Sequence, residues 1–200
     1  FLKDLDQYMQ QDLGYSADQY RFTGMLVLYN NMLQSLFKSQ ILTLGFVFVA
    51  ITVMLMLLFR SLNLAMIAVA PNALAALLVL GGMGWVGLPL DMMTITIAAI
   101  SIGIGVDDTI HYVHRFKTEF ATDRNYINAM HRCHGSIGRA MYYTSVTIIF
   151  GFSILALSNF KPSIYFGLLT GFAMLSALMG ALMLLPRLLI VFKPLGPEIE

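Results

Sequence analysis

The amino-acid sequence predicts an all-α membrane protein with five transmembrane helices. Of its 200 residues, 58% are hydrophobic and 12% are charged, whereas roughly 25% of the residues in ordinary soluble domains are charged. Five apolar stretches recur along the chain, and about 20 such residues cross the hydrocarbon core of a bilayer. A soluble domain of this size could not bury so much apolar surface, so the chain belongs in a membrane.

The segment before the first span has a different composition. Residues 1–34 mix polar and apolar side chains, with a helical pattern around Leu5–Leu13 and a β pattern through Tyr20–Tyr29 that Gly24 interrupts. This segment is therefore predicted to be the end of a mixed α/β domain in water. The abrupt start, Phe1-Leu2-Lys3-Asp4, indicates a piece of a longer protein.

The membrane bundle is predicted over residues 35–193 and a polar tail over 194–200. Between the third and fourth spans, Arg115–Arg139 has the apolar spacing of an amphipathic helix that lies along the membrane surface. The predicted spans cover about residues 41–59, 64–82, 92–113, 140–157 and 164–185.

Two features of the spans predict how the helices pack. Pro71 lies inside the second span, where it removes a backbone hydrogen bond, and it is expected to act as a hinge. Gly167 and Gly171 are four residues apart in the fifth span, a spacing that lets two helices approach closely. Ordinary span composition explains these glycines equally well.

The distribution of cations predicts the topology. Loops on the side of Arg115–Arg139 carry eight Lys and Arg residues, and loops on the other side carry four. Because cytoplasmic loops are enriched in cations, the N-terminal end is expected outside and the C-terminus in the cytoplasm. Residues 1–34 then belong to an extracytoplasmic domain.

Two adjacent carboxylates, Asp107 and Asp108, are the strongest functional signal. They follow fifteen consecutive uncharged residues, from Met92 to Val106, and an ionised Asp near the membrane centre costs roughly 2.5–3.5 kcal/mol. Such groups persist mainly in a bundle interior or a water-filled path, where they mark proton or ion routes. The alternative is that the pair forms the inner end of the helix, with its charges at the headgroups.

Neighbouring side chains extend this hypothesis. His111 lies four residues after Asp107, on the same helical face, and would tune its proton affinity. Thr144, Ser145 and Thr147 enter the fourth span from the same side of the membrane and could hold a water between the helices. Alternatively, these hydroxyls bond to the backbone of their own helix.

The sequence gives little indication of metal or cofactor chemistry. Cys133 is the single cysteine, so neither an intrachain disulfide nor a Cys-based metal cluster can form. His131 and His134 beside it are two ligands three residues apart, a weak metal signal. A net charge of +1 does not indicate a nucleic-acid partner. We expect no metal, no cofactor and no nucleic acid.

A series of short motifs follows in order along the chain. The motifs are Phe59-Arg60-Ser61, Pro71-Asn72, Met92-Met93-Thr94-Ile95, Gly105-Val106-Asp107-Asp108-Thr109-Ile110-His111, Thr144-Ser145, Gly151-Phe152 and Leu184-Leu185-Pro186. Together these motifs resemble the resistance–nodulation–division (RND) superfamily of exporters, in the branch of the mycobacterial membrane protein large (MMPL) and Patched-like proteins. The similarity extends from about Tyr20 to Lys193.

In that family each half of the transporter has six helices, with a large extracytoplasmic porter domain between the first and the second. The resemblance therefore implies that this chain is the last five helices of one half, the C-terminal one, preceded by the end of a porter-like domain. The remaining half of the transporter, membrane lipid and a hydrophobic or lipid-like substrate are the implied partners, and a homo-oligomer is left open.

The implied activity is export of lipids or other amphiphiles across the inner membrane of a bacterium, driven by protons as the coupling ion. Asp107, Asp108 and His111 would form the proton relay. Two alternatives were weighed: a non-transporting sterol- or lipid-sensing domain, which shares the fold, and an intramembrane aspartyl protease. The sequence disfavours the protease, because its dyad needs carboxyls from two helices and these two are neighbours on one. No enzymatic activity is expected.

Overall fold

The computed structural model describes residues 2–16, 19, 20, 24–88 and 92–198, and every regular element in those residues is helical. The chain divides into two compact units, residues 1–40 and 41–200. In order, the elements are α1 (Leu2–Gln11), α2 (Met25–Phe59), α3 (Leu62–Val86), α4 (Met92–Asp123), α5 (Tyr126–Cys133), a π turn (His134–Gly138), α6 (Arg139–Ser153), a 3₁₀ turn (Ile154–Leu157), α7 (Lys161–Met179), a second π turn (Gly180–Leu184) and α8 (Leu185–Phe192).

The first unit contains the helix predicted around Leu5–Leu13, which is α1. Gln10 Nε2 on α1 donates a hydrogen bond of 2.9 Å to the hydroxyl of Tyr20, and that hydroxyl in turn donates to the Asp6 carboxylate. These two bonds hold the Tyr20 side chain against the polar face of α1.

The predicted β pattern through Tyr20–Tyr29 is wrong from Met25 onward, because Met25–Tyr29 form the first turns of α2. A short apolar run cannot be assigned to strand or helix by periodicity alone. Once a long apolar helix forms beside it, each further helical residue adds a hydrogen bond without a new nucleation step. Gly24, with φ of +131°, marks the break before the helix; residues 21–23 of the predicted strand lie outside the described residues.

Four helical stretches of the described chain are long and apolar enough to cross a membrane: Val27–Phe59, Leu62–Val86, Tyr126–Leu157 and Lys161–Phe192. They contain the first, second, fourth and fifth predicted spans. The third predicted span lies in α4, which is 32 residues long but does not meet the same criterion among the described residues. Its acidic pair and its charged second half lower its apolar character.

The polar segment Arg115–Arg139 is organised differently from the prediction. Its first nine residues continue α4 to Asp123. Arg124 then adopts a positive φ of +48°, and the Asn125 side chain caps α5 by accepting a 3.0 Å hydrogen bond from Asn128 N. The amphipathic helix within 115–139 is therefore the short α5, which continues through the first π turn into α6.

The fifth predicted span lies at the centre of the helix packing, because α7 packs against α3, α4 and α6. A Cβ atom on Gly167 would lie 2.5 Å from the carbonyl oxygen of Phe152 and 2.8 Å from Leu155 Cβ. Only glycine allows this approach between α7 and the 3₁₀ end of the preceding span. The close helix contact predicted from these glycines is thus confirmed at Gly167, whereas a Cβ on Gly171 would lie at an ordinary 3.5 Å from Ser153 Oγ.

A cluster of aromatic and aliphatic side chains closes the end of the bundle where α4 turns into α5. Phe120 and Tyr126 stack with ring centroids 4.3 Å apart. The C-terminal segment packs onto the same corner, since Leu195 N donates to the Tyr126 hydroxyl at 2.9 Å and Tyr126 N donates to Glu198 at 3.2 Å. The polar tail predicted over residues 194–200 is therefore docked on this corner as far as it is described.

His134 ties this corner to the last helix. Its Nε2 lies 2.8 Å from the carbonyl oxygen of Leu182, and its Nδ1 lies 2.9 Å from that of Met130. Pro186, four residues after Leu182, has no N–H to donate to that carbonyl. In the tautomer that is protonated on Nε2, the imidazole supplies a donor to the carbonyl that Pro186 leaves free.

Ion pairs fix the turn between α4 and α5. The Arg132 guanidinium donates to Glu119 at 2.7 Å and to Asp123 at 2.9 Å. These hydrogen bonds hold the pKa of the Asp123 carboxyl well below its ordinary value. A lowered pKa means that the interaction stabilises the fold fully above the ordinary value of about 3.9 and is lost as the pH falls below it.

Acid is therefore expected to loosen this turn first. On acidification from pH 5 to pH 3, the protection factors of the Asp123–Cys133 amides, which correct for the slower intrinsic exchange at lower pH, should fall in the parent protein. Asp123→Asn should be less protected at pH 7 and should change less on acidification. Asp12→Asn, an exposed carboxylate of the first unit, is the control that should behave like the parent. Equal acid sensitivity in Asp123→Asn and the parent would show that this ion pair does not carry the effect.

Candidate functional site

The acidic pair lies on α4, 15 and 16 residues after the helix begins at Met92. The Asp107 side chain is 71% exposed, and His111 Nε2 lies 3.5 Å from its Oδ1, as the spacing of four residues predicts. Asp108 is half-buried. Adjacent helical residues point about 100° apart, so the two carboxylates face different surroundings.

One whole face of α4 is exposed, and its composition is unusual for a membrane helix. Exposed residues recur three or four apart along it, and no large hydrophobic side chain of the described part of α4 is exposed. On α2 and α6, by contrast, the exposed faces carry residues such as Phe46 and Phe150. The α4 face consists of small, acidic and imidazole side chains: Ala99, Gly103, Asp107, His111 and His114.

The opposite face of α4 is buried against α3, and a polar contact joins the two helices. Asn72, 4% exposed, donates from Nδ2 to Thr109 Oγ1 at 3.0 Å and to Ala68 O on its own helix at 3.1 Å. Thr109, fully buried, donates to Gly105 O at 2.8 Å. We refer to Asn72, Thr109 and Gly105 as the α3–α4 clamp.

Gly105 allows the two helices to approach at the clamp. A Cβ atom at this position would clash with Asn72 Oδ1 and would also contact Ala177 on α7 at 3.5 Å. Three helices thus meet at a residue without a side chain. The acidic pair begins two residues later on α4.

Pro71 lies beside the clamp but shows no interruption of its helix, since α3 runs unbroken from Leu62 to Val86. Pro71 is buried and packs against Gly180, where an added Cβ would lie 3.2 Å from Pro71 Cβ. The second π turn begins at Gly180. The proline is therefore covered by protein, as expected for a residue that frees a backbone carbonyl.

The three hydroxyl residues predicted near the acidic pair lie on α6, which packs against α7 rather than mainly against α4. Thr144 is exposed and donates to Ala140 O and Met141 O, both at 3.0 Å. Thr147 is exposed and donates to Tyr143 O at 2.9 Å. Ser145 is buried. The two threonines thus bond to their own helix, which was the alternative interpretation of these residues.

Comparison with known proteins identifies the family. The model of the MMPL family matches residues 19–197. The chain belongs to the MMPL family. Among curated proteins it is 27% identical to the membrane protein MJ1562 of Methanocaldococcus jannaschii over 154 residues, which are 77% of this chain and 40% of that protein. No match was found among solved structures.

A second relative of this MMPL chain is the hopanoid transporter HpnN of Burkholderia multivorans. The two are 28% identical over 115 residues, which are 58% of this chain and 13% of HpnN. The chain thus spans less than half the length of either relative. Four apolar helices and these relatives make it a multi-pass membrane protein of the RND superfamily.

Sequence reasoning assigned a role to Ser145 but to no other buried polar residue of this MMPL bundle. Asn72 and Thr109 appeared only as letters in motifs, although an amide inside an apolar span is itself a functional signal. Ser101, Tyr112 and Thr170 are also buried, with hydroxyls that have no hydrogen-bond partner in the described structure. Periodicity could not have placed them in the interior, because a single hydroxyl changes the pattern very little.

The close approach at the clamp predicts that an alanine substitution destabilises the protein at Gly105 but not at Gly81. Gly105→Ala should reduce unfolding stability by about 1–3 kcal/mol, since overpacking at a close contact has this cost. Gly81→Ala should be neutral or slightly stabilising, because a Cβ there meets nothing within 4 Å and alanine is the better helix former. Thermal unfolding of the purified variants in one detergent measures both, and equal stability of the two would contradict the close approach.

Proposed function

We propose that the protein is part of an RND-type transporter that exports lipids or other hydrophobic or amphiphilic molecules, driven by the proton-motive force. Membership of the MMPL family and similarity to a hopanoid transporter support the transport of a lipid-like substrate. The observation that carries the coupling mechanism is the exposed face of α4, on which Asp107 and His111 lie among small residues.

This face is unsuited to lipid. An ionisable side chain in contact with hydrocarbon is costly, and such groups almost always face protein or a water-filled cavity. Small residues allow another helix to approach closely. We therefore propose that a further layer of helices, the other half of the same transporter, covers the face and leaves water access to the acidic pair. A second copy of the chain is the other partner that fits.

Five spans are proposed, with α4 as the third. The N-terminal half of α4 contributes the buried side chains Ile97, Ala98 and Ile102, and α4 packs along α3 and α7. Both of these neighbours are long and apolar enough to cross the membrane. A helix embedded between two spans has to cross with them.

The proposed orientation places the N-terminal end outside and the C-terminus in the cytoplasm of a bacterial inner membrane. Cationic segments lie together at one end of the bundle, and this clustering supports the proposed orientation. Lys117 Nζ lies 5.9 Å from the ring centroid of Phe59 at the end of α2. The tail that carries Lys193 packs onto the Tyr126 corner. Residues 1–34 would then belong to the extracytoplasmic porter-like domain.

In the proposed mechanism the acidic pair takes up a proton from the outer side and releases it to the cytoplasm. One proton moving down a potential of 100 mV supplies about 2.3 kcal/mol before any pH gradient is counted. Neutralising a carboxylate removes the cost of burying its charge, so the covering helices pack differently in the two states. His111, which contacts Asp107, is the third member of the proposed relay. The hydroxyls of Thr144 and Thr147 bond to their own helix, so the proposal rests on the α4 residues alone.

A non-transporting sterol- or lipid-sensing domain is the second hypothesis, since it would share the fold. The two differ in their need for energy, because export by the relay stops when the membrane potential and the pH gradient are both collapsed. The protease hypothesis gains no support here: among the described residues, the helices packed on α4, which are α3, α5 and α7, contain no acidic residue that could complete an aspartyl dyad.

The relay predicts the behaviour of three variants of the full-length transporter. Asp107→Asn and Asp108→Asn should fold and insert normally, because an amide has nearly the shape of a carboxylic acid, yet export should fall to background since an amide cannot titrate. His111→Ala should give a milder loss and a shifted pH optimum. The measurement is substrate export in vesicles at several pH values, with expression quantified in parallel.

Asp12→Asn, which changes an exposed carboxylate of the first unit, is the matched control and should export at the rate of the parent. Normal export by well-expressed Asp107→Asn and Asp108→Asn variants would refute the relay. The acidic pair would then be the inner end of a helix with its charges at the headgroups.

A further inference from the structure

We infer that Asn72 is a positioning residue for the acidic pair: through its hydrogen bond to Thr109 it sets the rotation of α4 that directs Asp107 toward the covering helices. This inference rests on the proposed function, because it assigns Asn72 a task only if the pair carries a proton. The inference is based on the burial of the clamp residues, on their hydrogen bonds and on the angular positions of Gly105 and Thr109 around α4.

The clamp is a specific polar contact in an apolar interface. Around it the facing side chains of α3 and α4 are mostly hydrophobic, and Ala76, Ile102 and Val106 form a buried cluster one or two turns away. Apolar contacts of this kind tolerate sliding and rotation, whereas a buried amide is costly if its partners are lost. The Asn72–Thr109 bond of 3.0 Å therefore selects one rotation of α4 among several of similar packing.

The rotation of α4 determines which way the two carboxylates point, because each residue has a fixed angular position around the helix axis. At 100° per residue, Gly105 and Thr109 lie about 40° apart and share the face toward α3. Asp107 is about 200° from Thr109, so it points away from the clamp, and Asp108 is about 100° from it, at the edge of the interface. This agrees with the exposed Asp107 and the half-buried Asp108.

Charged groups of the neighbouring helices do not offer another way to orient the pair. The titratable side chains near it on α4 are His111 and Tyr112, and α3 carries none. On α7 they are Lys161 and Tyr165, at least twelve residues before Ala177, the α7 residue that meets Gly105. Among the described residues, the neutral amide of Asn72 is therefore the polar group of α3 that contacts α4 next to the acidic pair.

The experiment compares two substitutions of one clamp residue in the full-length protein. Thr109→Val keeps the shape of threonine but removes the acceptor of the Asn72 bond, and Thr109→Ser keeps the hydroxyl. Asn72→Leu removes the donor from the other side. The readout is the pH midpoint of substrate export in vesicles, normalised to folded protein, because a merely structural role changes the amount of active protein without moving the midpoint.

We expect Thr109→Val and Asn72→Leu to shift the midpoint by about one pH unit, since the solvation of the acidic pair changes once α4 is free to rotate. Thr109→Ser should keep the midpoint of the parent. The double variant Asn72→Leu/Thr109→Val should shift no further than either single variant, because both remove the same bond. If Asn72→Leu does not fold, the Thr109 pair still decides the question.

The possible results separate the inference from the function on which it rests. A parent protein whose export responds to pH, with a midpoint that Thr109→Val leaves unchanged, would overturn the positioning role alone. A shift of equal size in Thr109→Ser would overturn it too, since that variant keeps the bond. Export by the parent that is independent of pH would remove the relay, and the positioning role with it.

Discussion

The hydrogen bond between Asn72 and Thr109 joins α3 and α4 beside the close approach at Gly105, and the arrangement of the site depends on it. Gly105 makes the contact possible, because any side chain there would clash with Asn72. With its small and polar positions split between two faces, α4 then has one face in the core and the other free for a partner. The direction in which the acidic pair points therefore follows from the hydrogen bond between two neutral side chains, Asn72 and Thr109.

The free face of α4 links this packing to function. A helix that packs along two membrane spans and yet exposes a carboxylate and two imidazoles cannot be covered by hydrocarbon at low cost. Membership of the MMPL family accords with the proposed transport, and the proposed second layer of helices would cover this face. The proposed relay would separate stability from function on this helix: the clamp face holds it in the bundle, and Asp107 lies on the exposed face.

Composition and periodicity predicted the helical bundle well, because apolar runs near 20 residues have few alternatives. They failed at Met25–Tyr29, a run too short to decide between strand and helix, and at Arg124, where one residue with positive φ ends α4. Spacing along one helix placed His111 beside Asp107. It could not place Thr144 and Thr147, nor reveal Asn72, because which helices become neighbours depends on packing that a linear pattern does not contain.

The central claim is that protein and water, not lipid, surround the Asp107 face. Spin labels placed singly at residues 99, 103, 111 and 114 of the full-length protein in lipid vesicles would test it, through their collision rates with oxygen, which concentrates in lipid, and with a water-soluble nickel complex. The account predicts low oxygen and higher nickel accessibility at these positions, and the reverse at Phe46 and Phe150. Oxygen accessibility on the α4 face equal to that at Phe46 and Phe150 would contradict it.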